Sequence, residues 1–141
     1  MTAATHKLRR FGRAYAVAAG VMDTATGLTL VLAPWTVLAL LQIQVSRVDG
    51  VWLRFIGSFV TGVGLLYLLP FLARDRRRVD QRLVAALEST TVARGCVGIF
   101  VGGAVALEAL PPAWISVALT DLALAAAQIW LLRAGVFDDP S

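Results

Sequence analysis

Histidine and cysteine are almost absent from this 141-residue chain, which has one of each, His6 and Cys96. A single cysteine excludes an internal disulfide and any CxxC redox or zinc motif. Haem carried across a membrane usually draws histidine ligands from the helices, so a lone histidine in the N-terminal tail argues against a b-type cytochrome. The same scarcity leaves no His/Cys set for a metal ion, and no nucleophile–base pair or nucleotide-binding loop is seen. We therefore expect no cofactor, no metal and no catalytic residue. Charge is scarce too, at 16% of residues against 58% hydrophobic ones, and the mean hydropathy is +0.75. Such a chain is too apolar for an ordinary soluble domain.

What is present is four long apolar stretches with basic residues sorted between them. Eleven of the thirteen Lys and Arg fall at the N-terminus, in the second gap or at the end of the last stretch, counting Arg94 with the second gap. Arg47 and Arg54 alone lie towards the opposite side. By the positive-inside rule this is a polytopic protein of a bacterial inner membrane with both termini in the cytoplasm. The pI near 10.2 then reflects orientation and contact with anionic headgroups, and no nucleic-acid partner is expected.

A span needs about 20 apolar residues. The stretches cover 14–33, 51–72, 91–110 and 114–132, predicting an all-α membrane four-helix bundle, N-in and C-in, of two helical hairpins in one domain. Residues 74–90 form a cytoplasmic basic loop, with 83–88 helix-compatible and leading into the third span. The first stretch is too long for a signal peptide and is interrupted by Asp23, so it reads as a retained helix. Pro34 stops or kinks that helix, leaving 35–43 as an extension or a short interfacial helix. Pro111 and Pro112 make a tight outer turn. Trp35, Trp52 and Trp114 at the outer boundary, and Phe11, Tyr15, Phe71 and Trp130 at the inner one, give the same topology from aromatic placement.

A few residues break the apolar rule. At about 1.5 Å per residue, Asp23 lies roughly 15 Å past Arg13, Asp121 about 10 Å below the outer face, and Arg54 about 3 Å deep. A central acid costs roughly 2.5–3.5 kcal/mol, so these need partners. Arg54 is expected to reach down to Asp121. Asp23, deeper, is expected to be protonated or bonded to Thr24, Thr26, Thr61 or Gln128. Asp23 shares a stripe with Ala16, Ala19, Gly20 and Gly27. Arg54 heads one with Gly57, Ser58 and Thr61, and Asp121 aligns with Gln128. The candidate intramembrane cluster is thus Asp23, Arg54, Ser58, Thr61, Asp121 and Gln128. Its reading is either architectural, fixing which helices are neighbours, or functional, lining a cavity for a proton, ion or headgroup. Gly98-x-x-x-Gly102 is a small-residue helix-packing motif, serving the chain's own bundle or a homodimer. Cys96 reads as a small packing residue, with palmitoylation as the alternative.

The Gly20/Gly27 helix ending at Pro34, the Arg54-x-x-Gly57 opening of the second helix, and Asp121 in the fourth resemble the small bacterial four-helix membrane proteins called DoxX-like, over nearly the whole chain. The resemblance implies a free-standing membrane protein or an accessory subunit, since some members serve quinone-linked oxidoreductases; it carries no catalytic residues over. We expect a non-enzymatic integral membrane protein, an accessory or structural subunit packing against membrane partners, as a homodimer or in a larger complex. The alternatives are a small transporter or lipid-binding protein using Arg54, Asp121 and Asp23, and a quinone-linked redox component.

Overall fold

Hydrocarbon offers no water to a backbone, so an apolar chain must satisfy its N–H and C=O groups internally, which a helix does within one segment. The computed structural model describes residues 3–43 and 50–137, and among these the regular structure is all helical. The helices are α1 (Ala3–Leu32), α2 (Pro34–Leu40), α3 (Gly50–Leu68), α4 (Arg76–Ala106) and α5 (Ile115–Arg133). A 3-10 turn at Leu69–Leu72 extends α3, and one at Pro112–Trp114 precedes α5. Four segments, His6–Leu32, Gly50–Leu72, Arg77–Ala106 and Pro112–Arg133, are long and apolar enough to cross a bilayer. The chain is a multi-pass all-α membrane bundle.

Prolines punctuate it where their missing N–H costs least. Ala33, at φ −141° and ψ 62°, separates α1 from α2, and Pro34 starts the seven-residue α2. Residues 34–40 are therefore a separate helix and not a continuation of α1. Leu38, Ile43 and Leu53 pack together with Ala113 and Trp114, so α2 closes the end of the bundle that holds Pro34, Pro111 and Pro112.

At the opposite, basic end the helices run further than the apolar stretches. The segment 74–90, expected as a loop, is helical from Arg76 onward. Asp75 caps it, its carboxylate accepting from the Arg77 N–H at 3.1 Å. Val79, Leu83, Ala86, Leu87 and Thr90 form a buried stripe through this basic sequence. With Ala16, Tyr67, Leu131, Val136 and Phe137, most of that stripe makes the larger core cluster. Helical propensity and burial of one stripe outweigh the high charge of the other face.

Three helices end alike. Gln42, Glu108 and Gly135 each have φ between 54° and 58°. The following amide reaches back five residues, Ile43 N–H to Leu38 O, Ala109 to Ala104 and Val136 to Leu131. This is the Schellman closure, with glycine at only one of its three left-handed positions.

The α1 and α3 backbones run in contact along their lengths, as do those of α4 and α5, so the bundle is two hairpins. Glycine lets α1 and α3 approach: a Cβ on Gly57 would fall 2.7 Å from Gly27 O and Leu30 Cβ, and one on Gly27 would strike the Thr61 backbone. Gly64 fits against Thr24 in the same seam. In the other hairpin a Cβ on Gly98 would meet Leu122 Cγ at 2.7 Å and Ala118 O at 3.3 Å. Gly102 lies against Ala118, so Gly98 and Gly102 face α5 of their own chain.

Candidate functional site

The two hairpins meet through long polar side chains, and the centre of that contact is Arg94. It lies eighteen residues past the start of α4, about 27 Å along the helix, well beyond the basic end. Arg94 is 5% exposed. Its NH1 donates to Asp121 Oδ1 at 2.6 Å, and its NH2 donates to Asp23 Oδ2. Its Nε donates to the Tyr67 hydroxyl at 3.3 Å, and the guanidinium carbon is 5.9 Å from the Tyr67 ring centroid. One planar fork therefore joins α1, α3, α4 and α5, a geometry that a lysine ammonium cannot copy.

A neutral shell continues the network. Gln128, fully buried, donates from Nε2 to the Tyr67 hydroxyl, and its Oε1 lies 2.8 Å from Thr91 Oγ1. Tyr15, expected at the interface, is half-buried and donates its hydroxyl to Leu124 O at 3.1 Å. Towards the basic end a second ionic tie repeats the theme. Asp80 Oδ1 accepts from Arg13 Nε at 3.0 Å and NH2 at 2.8 Å, while Arg9 NH1 is 3.6 Å from Oδ2. Arg9 Nε also donates to Val136 O.

The expected Arg54–Asp121 pair does not form. Arg54 is exposed and its Nε donates to Val31 O at 3.1 Å. Ser58 is exposed as well, its hydroxyl donating to Arg54 O. Thr61 back-bonds to Gly57 O at 2.8 Å and packs on Gly27, so it is a seam residue. Of the six candidates, Asp23, Asp121 and Gln128 come together, and Arg94 and Tyr67 join them. Asp23 is bound to Arg94 and not to the threonines. The Thr24 hydroxyl is buried without a hydrogen-bond partner among the described residues, and Thr26 is exposed.

Arg94 escaped the sequence reading because a third span drawn at 91–110 puts it at the basic boundary, where arginine is ordinary. Its register gives it away: it falls in step with Leu83, Leu87, Thr90, Gly98 and Val101, the buried stripe of α4. Tyr67 carries the same signal, three residues past Gly64 on the buried stripe Leu53, Gly57, Gly64 of α3. Arg47, Asp49, Asp138 and Asp139 lie outside the described residues.

Chemically, the cluster can hold two carboxylates side by side in apolar surroundings, each with a charged donor. Among the described residues no group of three His, Cys, Asp or Glu could hold a metal ion. Cys96 is free and exposed. Fold and site together define a class, multi-pass helical membrane proteins whose two hairpins are clasped by a buried arginine. Comparison with protein-family models, curated proteins and solved structures finds no match to the chain.

Proposed function

We propose that the chain is a non-catalytic, accessory or structural subunit of the bacterial inner membrane, with both termini in the cytoplasm, that packs against membrane partners. The observation that carries this reading is that the strongest intramembrane charges are consumed inside the chain. Each nitrogen of Arg94 has an internal acceptor. Such a clasp fixes which hairpins are neighbours, the best-attested use of buried ionic groups. The basic residues gathered at one end support the orientation. Gly27 and Gly57, on which the DoxX-like resemblance partly rests, are seam residues, so that likeness is one of architecture and fits an accessory role. A partner would meet the outward apolar face of α4, where Val92, Ile99 and Phe100 are exposed, since Gly98 and Gly102 are already covered.

One observation favours a second reading, a small ion or proton transporter. One guanidinium balances one carboxylate, and here it faces two. Reconstitution into liposomes enclosing a pH-sensitive dye separates the two readings. A structural subunit gives no proton flux above that of protein-free vesicles. A flux that Asp121→Asn abolishes would overturn the accessory role.

A further inference from the structure

A second feature lies away from the clasp, between α3 and α4 near the basic end. Leu66, Leu69 and Pro70, at the end of α3 and in its 3-10 turn, form one wall of a cleft of about 240 Å³; Arg82, Ala85 and Ser89 on α4 form the other. Two chemistries are segregated along it. Arg82 stands at the basic end, exposed, and no hydrogen bond or ion pair engages its guanidinium among the described residues. Arg78, also exposed, is one turn further out on the same face. Beyond Arg82 the lining is almost wholly aliphatic, and the Ser89 hydroxyl turns inward to its own helix, donating to Ala85 O at 2.8 Å.

From Arg82 to Ser89 the α4 wall is about 10 Å long, against roughly 15 Å for half of a 30 Å hydrocarbon core. A cationic mouth with an apolar floor running towards the bilayer centre has the polarity of a phospholipid. A soluble phosphate would use the arginine and leave the floor empty. A neutral lipid would use the floor and leave the guanidinium without an anion.

We infer that this cleft is a specific site for an anionic phospholipid, whose phosphodiester pairs with Arg82 while one acyl chain lies between α3 and α4. The site depends on the four helices spanning a bilayer and is independent of the subunit role proposed above.

Native mass spectrometry of the full chain, with phosphatidylglycerol or phosphatidylcholine of identical acyl chains added, tests it. The expected result is one preferred phosphatidylglycerol adduct. Arg82→Ala lowers its retention about fivefold or more, as expected for one interfacial basic residue. Arg133→Ala, an equal charge loss on α5, leaves it unchanged. Ser89→Trp, at an exposed position, fills the cleft and removes the adduct with every arginine in place. Equal losses from Arg82→Ala and Arg133→Ala would reduce the effect to diffuse attraction and overturn the site. So would retention undiminished by Ser89→Trp, competition by glycerol phosphate at the lipid's concentration, or a dimer forming in the lipid's place.

Discussion

Helix α1 presents two adjoining faces to two different neighbours. One carries Gly20, Thr24 and Gly27 and lies on α3; the other carries Asp23 and Tyr15 and faces α4 and α5. Across the first, side chains are removed until backbones touch. Across the second, side chains are long, and charge and hydrogen bonds span the gap that they create. In a bilayer no hydrophobic force draws helices together, so both faces depend on contact energy and polar bonding. The difference lies in what each specifies. A glycine seam accepts any partner of complementary shape, whereas an arginine shared by two aspartates accepts only one arrangement of three helices.

The comparison is most sharply tested by removing its centre. Arg94→Met leaves two carboxylates unpaired in the bundle and should destabilise it by about 3–5 kcal/mol, read as the shift in reversible unfolding in mixed micelles. Asp23→Asn with Asp121→Asn in that background should restore most of the loss, because polar groups of similar shape without charge demand no counter-ion. A triple variant as weak as the single one would mean that the clasp supplies net stability and not specificity alone.

The glycine seam comes next. Gly57→Val drives a branched side chain into Gly27 O and the Val31 amide and should cost about 1–3 kcal/mol. Unlike the Arg94 change, it should not be rescued by neutralising the aspartates. A rescue would show that the two faces are one coupled unit. Arg13→Ala removes the tie to Asp80, where the arginine side chain is 31% exposed, and should cost at most about 1 kcal/mol. A loss matching that of Arg94→Met would place the ionic weight at the basic end. Glu108→Gly touches neither seam. By relieving the left-handed conformation at the end of α4 it should raise stability by about 0.5 kcal/mol.

The contrast also explains what could be read in advance. Apolar length locates four spans because hydropathy is a property of composition along the chain. Asp23 and Asp121 announce themselves because acid in an apolar run is conspicuous. Arg94 does not, since arginine flanking a span is what the positive-inside rule leads one to expect, and only helical register separates a flanking arginine from a central one. The start of α4 was hidden for a related reason: a basic sequence reads as loop until the stripe Val79, Leu83, Leu87 is noticed within it. Arg54 misled in the opposite sense. Depth along a helix says nothing of azimuth, and α3 turns that residue away from α5, its Nε donating to Val31 O instead.

The clasp has a consequence for biogenesis. Asp23 and Arg94 are 71 residues apart in the chain, so at 5–20 residues per second the ribosome delivers the aspartate roughly 4–14 s before its counter-ion. Throughout that interval the growing chain carries Asp23 without the Arg94 that pairs with it in the finished bundle. The glycine seam needs only α1 and α3, and both are made before Arg94, so it can close while the carboxylate still waits for its partner. Arrival of α4 ends that wait, so the seam can form first and the clasp last.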